Sequence, residues 1–173
     1  MYDEVPGRPR WQDIAVHDDK FVKGFFGEYR FLSNFAPCYL PSGYPTSENA
    51  YMAAKVRTEH RAFFRECTAR EAKTEWKNFP LIDKSAAEWD ARKYQVMAEI
   101  LLQKFDPTLN PELHVKLKAT GNRYLEEKNW WSDSVWGVDW KKGGQNLLGR
   151  LLMDIRDGRL TMENLSLFTH PAC

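Results

Sequence analysis

The sequence predicts an α+β fold that is mainly helical, a single compact domain with a few short strands. Three observations predict it. Several stretches space their apolar residues as helices do and follow a Thr or Ser in the N-cap position. The segments before and after them are rich in aromatic residues and broken by Gly and Pro, which suits short strands and turns. No repeat, linker or low-complexity tract divides the 173 residues, and a hydrophobic content of 43% is enough for one core.

Taken in order, residues 1–20 (MYDEVPGRPRWQDIAVHDDK) mix proline and charge with little periodicity and read as an arm. The domain proper is expected over residues 21–160, with 161–173 as a tail. FVKGFFGEYRFLSNFAPCYL is aromatic and interrupted by Gly24 and Gly27, which suits short strands and a tight turn beside a binding surface. Pro41, Gly43 and Pro45 then punctuate a hairpin-like excursion. Thr46 or Ser47 caps a helix through about Arg57, with Glu48 and Asn49 in its first turn, where a carboxylate suits the positive helix end. Helical patterns continue in EHRAFFREC, in TAREAKTEWKN with Thr68 as cap, and in KSAAEWDARKYQVMAEILLQKF with Ser85 as cap. The last spaces Trp89, Tyr94, Met97, Ile100, Leu101 and Phe105 as a helix does, so it is the long core helix. Pro111 opens a shorter helix that stops near Thr120 and Gly121. RYLEEKNWWSDSVWGVDWKKGGQN is irregular and aromatic with a short strand, and NLLGRLLMDIRDG closes the fold as an amphipathic helix.

Charge and cysteine usage exclude several classes. Lysine and arginine number 25 against 24 acidic residues, so no global positive field holds nucleic acid by its phosphates, and such a partner must be met locally. Cys38, Cys67 and Cys173 are widely spaced and lack zinc-ligand patterns. They read as reduced thiols of a cytoplasmic protein. His17, His60, His114 and His170 show no metal-ligand spacing, so no metal is expected. No apolar run of about 18 residues occurs, and neither export nor membrane insertion is expected.

Three clusters carry chemistry. Glu48 and Lys55 lie two helical turns apart if their segment stays helical, with Tyr51 and Met52 between them. An ordinary solvated helix face accounts for this pattern. So does a pocket in which aromatic surroundings prepare a carboxylate for proton transfer and a lysine for attack on a carbonyl or an opened sugar. In NWWSDSVWG, Asp133 is surrounded by Trp130, Trp131 and Trp136, which serve either as core or as a stacking platform with a polar contact. Trp89 belongs to the same wall or to the apolar stripe of its helix. In KKGGQNLLG, two glycines precede a helix N-terminus, a geometry for phosphate or a plain turn with Asn146 as cap.

In chain order, FFGEYRFLSNF, GYPTSENAYMAAK, EWDARKYQVMAEILLQKF, ATGNRYLEE and DSVWGVDWKKGGQNLLGRLLMDIR together resemble the NADAR, or YbiA-like, family. The resemblance spans about residues 25–156. It implies a mostly helical α+β domain that cleaves N-glycosidic bonds between a ribose-type sugar and a nitrogen heterocycle, without a cofactor. The implied substrates are phosphorylated ribosylamino-pyrimidine intermediates of riboflavin synthesis, or ADP-ribose on guanine bases, including ADP-ribosylated nucleic acid recognised locally. Carried over by motif, the catalytic residues are Glu48, Lys55 and Asp133. The substrate contacts are Ser33, Asn34, Phe35, Tyr51, Trp89, Trp136, Gly137 and Asn146. Met52 stands where the family often has a polar residue, and the segment around Trp76 and Lys77 lacks a glycine-arginine pair found in many members. A non-catalytic module that binds ADP-ribose or NAD derivatives is the competing expectation; retention of both Glu48 and Lys55 favours the enzyme.

Overall fold

A computed structural model describes residues 9–167; His170 and Cys173 lie outside them. The helices are α1 (Trp11–Ile14), α2 (Ser47–Ala53), α3 (Phe63–Glu66), α4 (Ala69–Glu75), α5 (Ala86–Lys104), α6 (Pro111–Ala119) and α7 (Leu147–Arg156). The strands are β1 (Val16–His17), β2 (Phe21–Lys23), β3 (Tyr124–Glu126), β4 (Lys128–Asn129) and β5 (Val138–Asp139). Short 3-10 turns cover Gly27–Leu32, Thr58–His60, Trp76–Asn78 and Leu165–Leu167. The mainly helical α+β content is as the sequence predicts. Thr46, Thr68 and Ser85 each accept a hydrogen bond from the amide three residues on, as N-caps do. The excursion before α2 is hairpin-like, with Pro37 bridged antiparallel to Thr46.

Three local expectations are corrected. Part of the presumed arm is ordered: Ile14 of α1 is buried, and Val16–His17 pair with β2. Only Phe21–Lys23 of the first aromatic segment is a strand, because Gly24 and Gly27 adopt positive φ and turn the chain into the 3-10 stretch that buries Leu32. The Thr46-capped helix stops at Ala53 rather than near Arg57. Beyond it Val56 bridges Leu81, the Lys55 carbonyl accepts from the Ile82 amide at 2.9 Å, and Arg92 donates to the Ala54 carbonyl at 2.8 Å. Those tertiary partners replace the hydrogen bonds a longer helix would have made.

Backbone proximity groups the chain into two units, one from Met1–Ser33 with Lys116–Asp157, the other from Asn34–Val115 with Gly158–Cys173. In the first, β2 pairs antiparallel with β1 and parallel with β3, and α7 packs on β3. The approach is close: a Cβ on Gly149 would stand 2.2 Å from the Leu125 carbonyl oxygen, so only glycine lets α7 lie this near the strand. Val22, Leu125, Leu147, Leu151 and Leu152 fill this core, and Trp130 stacks on Phe26 at 5.5 Å.

In the second unit α2 is the centre. All seven of its residues are buried, with α3, α4 and α5 packed around it. A helix buried on every side must satisfy its polar side chains internally. Asn49 does so by donating to the carbonyls of Phe64 at 3.0 Å and Cys67 at 2.9 Å while accepting from the Thr46 hydroxyl at 2.6 Å. Phe64, Met97, Leu101 and Phe105 complete the core.

Candidate active site

Burial of α2 puts a carboxylate where water scarcely reaches. Glu48, in its first turn, is 4% exposed, and its amide donates to the Asn34 carbonyl at 3.0 Å. Lys73 reaches over from α4 and places Nζ 3.6 Å from Glu48 Oε1, an ion pair longer than a hydrogen bond. The same ammonium lies 5.3 Å from the Phe35 ring centroid. Asn34 is buried, donates weakly to Met97 Sδ at 3.5 Å, and has an Oδ1 without a hydrogen-bond partner among the described residues.

Lys55 sits just past the end of α2, in the turn that leads to the Val56 bridge. Its Nζ is 4.1 Å from the Trp76 ring centroid, 5.1 Å from Tyr51 and 5.3 Å from Trp89. Three rings thus wall one amine. Ring faces attract a cation, but removal from water penalises it more. Burial therefore dominates and pulls the Lys55 pKa from 10.5 down to about 8; Glu48 opposes the change, while the charges of Lys73, Lys77 and Lys93 add to it. At neutral pH roughly a tenth of this amine is then unprotonated, far more than for a lysine of ordinary pKa. The Arg92 guanidinium also lies 4.6 Å over the Trp89 ring and is bound to Asp83 at 2.7 Å.

The structure thus gathers Asn34, Phe35, Glu48, Tyr51, Lys55 and Trp89 in the second unit. Glu48 and Lys55 share this region through the turn after Ala53, not through a continuous helical face. Lys73, Trp76 and Arg92 were not among the residues expected. The spacing of Lys73 and Trp76, three apart across the end of α4, was the available signal, since i and i+3 face the same way.

Ser33, Asp133, Trp136, Gly137 and Asn146 belong to the first unit, and most of them hold backbone. Ser33 follows the 3-10 stretch and donates its amide to the Arg30 carbonyl at 3.0 Å. Asp133 Oδ1 accepts from the amides of Val135 at 3.1 Å and Trp136 at 2.9 Å, while its Oδ2 makes no hydrogen bond among the described residues. Trp136 is half-buried. Gly137 is buried against the Glu127 carbonyl, where a Cβ would stand 2.4 Å away. Asn146 is left-handed at φ 54° and spends its side chain on the Glu127 amide, the Leu125 carbonyl and the Tyr124 hydroxyl. The amides of Asn146, Leu147 and Leu148 are taken by the carbonyls of Gly137, Val135 and Trp136. Those groups are thus closed to a phosphate, and the plain-turn reading of KKGGQNLLG holds.

Among the described residues, no three His, Cys, Asp or Glu side chains gather as a metal site would require. No helix among them is long and apolar enough to cross a membrane.

The chain is similar to several known proteins. A riboflavin biosynthesis protein of Vibrio vulnificus is 33% identical over 135 residues, which is 73% of this chain and 35% of that protein. The chain therefore spans about a third of that relative's length. An N-glycosidase YbiA of Shigella flexneri serotype 5b is 34% identical over 139 residues, 75% of this chain and 81% of that protein. The NMR structure of Escherichia coli YbiA superposes with a TM-score of 0.69 at 28% identity, covering 93% of this chain and 95% of that one. Residues 20–159 match the NADAR domain, and the chain belongs to that family.

Proposed function

We propose that this chain is an N-glycosidase that hydrolyses the bond between a ribose-type sugar and a nitrogen heterocycle. One observation carries the reading: an amine held near pKa 8 inside three aromatic rings, beside a buried carboxylate. A pure binder of ADP-ribose gains nothing from a lysine prepared to lose its proton. The names of the Shigella and Vibrio relatives, an N-glycosidase and a riboflavin biosynthesis protein, support the same class of chemistry. The two substrate groups to test are those the family resemblance implies, phosphorylated ribosylamino-pyrimidines and ADP-ribosyl guanine.

In the proposed route Glu48 moves the proton that opens the sugar ring. The neutral Lys55 amine adds to C1, the C1–N bond to the heterocycle breaks, and the heterocycle leaves with the proton that Lys55 Nζ gives up. Water then adds to the C1=N bond and releases the free sugar, which returns the amine. The balance is one water consumed, one sugar and one base formed. The buried, open acceptor of Asn34 suits a sugar hydroxyl, and the positive charges of Lys73, Lys77 and Lys93 near Lys55 suit a phosphorylated sugar. The balanced net charge supports local rather than extended contact with any nucleic acid.

The test is borohydride trapping with each substrate group in separate reactions. Reduction during turnover should leave a sugar adduct on the Lys55 peptide, seen by mass, and Lys55→Arg should bind substrate but release little base, since a guanidinium stays protonated. No adduct with either substrate, together with a fully active Lys55→Arg protein, would refute the imine route.

A further inference from the structure

Lys55 is fastened to its surroundings through the peptide groups on both sides of it. The Ala54 carbonyl and the Lys55 amide belong to one planar peptide unit. That amide donates to the Met52 carbonyl at 3.1 Å, and that carbonyl accepts from Arg92 Nη2 of α5 at 2.8 Å. On the other side, the Lys55 carbonyl accepts from the Ile82 amide at 2.9 Å. The next residue, Asp83, binds the same guanidinium: Oδ1 accepts from Arg92 Nε at 2.9 Å and Oδ2 from Arg92 Nη2 at 2.7 Å. A circuit therefore runs from the Ala54 carbonyl through Arg92, Asp83 and Ile82 back to the Lys55 carbonyl.

We propose that Arg92 and Asp83 are positioning residues: together they fix the peptide from which the Lys55 side chain starts and the Trp89 ring beside its amine, and so hold the amine inside its aromatic wall. The proposal rests on the reading of Lys55 as nucleophile given above. Arg92 serves both ends of this arrangement. Its guanidinium lies 4.6 Å from the Trp89 ring centroid, and Trp89 in turn lies 5.3 Å from Lys55 Nζ and 5.2 Å from the Tyr51 ring. A guanidinium suits the task because its donors form a rigid planar fork: Nε and Nη2 take the carboxylate, Nη2 also takes the carbonyl, and the plane is left for the ring.

The charges of Glu48, Lys73, Lys77 and Lys93 act on Lys55 through space, and burial outweighs them. Arg92 and Asp83 act through the backbone and the ring, and they carry opposite charges. That opposition separates positioning from simple electrostatics. Loss of the Arg92 charge would by itself favour a proton on Lys55, and loss of the Asp83 charge would disfavour it. Loss of either tether lets water reach the amine, which favours the proton both times.

The experiment reads Lys55 directly, without substrate. Wild type, Arg92→Met, Arg92→Lys and Asp83→Ala are trace-labelled with acetic anhydride from pH 6 to 11, and acetylation of the Lys55 peptide is measured by mass spectrometry. In wild type the Lys55 curve should rise with a midpoint near 8. All three variants should move the midpoint up, so that labelling at pH 7.5 falls about threefold or more. Arg92→Lys belongs with them because an ammonium keeps the charge but lacks the fork. Base release by the variants at pH 7.5, from the substrate group that wild type cleaves, should lose kcat about threefold or more with KM retained. A midpoint that rises in Arg92→Met but falls in Asp83→Ala, or an Arg92→Lys protein that keeps the wild-type curve, would overturn the positioning role and leave Lys55 as nucleophile. Midpoints unmoved in every variant would do the same and leave the pair as a structural link. A wild-type Lys55 that titrates like a surface lysine would overturn both readings. Thermal melts establish which variants are folded, and Arg92→Lys, the mildest change, carries the test by itself.

Discussion

If Lys55 is held partly dehydrated for chemistry, its removal should make the protein more stable. The perturbation is Lys55→Met, which keeps an unbranched chain against Tyr51, Trp76 and Trp89 and removes the charge. The distance from 10.5 down to about 8 is a cost of folding at neutral pH. At about 1.4 kcal/mol for each pH unit it comes to roughly 3 kcal/mol, and to about 2 kcal/mol once the remaining water contact of this half-buried side chain is allowed for. The sign follows from proton binding. Between about 8 and 10.5 the unfolded chain holds a proton on this lysine that the folded chain lacks, so wild type gains stability as pH rises through that window. The advantage of Lys55→Met is therefore full below about pH 8 and gone by about pH 10.5. For a chain of this size, 2 kcal/mol corresponds to about 4–8 °C in Tm. Paired thermal melts at pH 6.5, 8, 9.5 and 10.5 measure it. A variant no more stable than wild type at pH 6.5, or a gap that stays constant with pH, would refute the reasoning.

Glu48→Gln keeps size and hydrogen bonding but loses the ionisable proton, so turnover should drop about 100-fold or more with the fold retained; near-wild-type turnover would leave Glu48 only as a helix-start residue. Gly149→Ala drives a methyl to 2.2 Å from the Leu125 carbonyl and should destabilise by about 2 kcal/mol despite alanine's better helix propensity, read in a urea melt. Asp133→Asn preserves the Oδ1 acceptor for Val135 and Trp136 and should melt near wild type, whereas Asp133→Ala should lose about 1–2 kcal/mol; equal melting of the two would remove the turn-holding role.

What the sequence made legible was local. Caps at Thr46, Thr68 and Ser85, the start of α6 at Pro111 and the apolar stripe of α5 are written in neighbouring residues, and each is found where expected. The end of α2 was not legible, because what stops it is Leu81, Ile82 and Arg92, partners from 25 residues or more along the chain. The same holds for the site. Glu48, Lys55 and Tyr51 stood out within their own segment, but the rest of the wall around the amine, Trp76 and Trp89, and the counter-ion Lys73 come from α4, α5 and the turn between them, and spacing within α2 does not report on those. Asn146 and Gly137 stood out for a real constraint whose cause is backbone packing at β3 and its continuation.

The three-stranded sheet has a consequence for synthesis. Phe21–Lys23 pair with Tyr124–Glu126, about a hundred residues later. Strand pairing at that separation is slow to close and cannot begin on the ribosome until both partners have emerged. At about 5–20 residues per second the first strand pair waits some 5–20 s with one edge unsatisfied. The waiting edge is short, contains Lys23 and is already covered on its other side by Val16–His17. Brevity and a lysine are features that discourage pairing with a foreign chain, so this nascent segment carries its own protection until its parallel partner arrives.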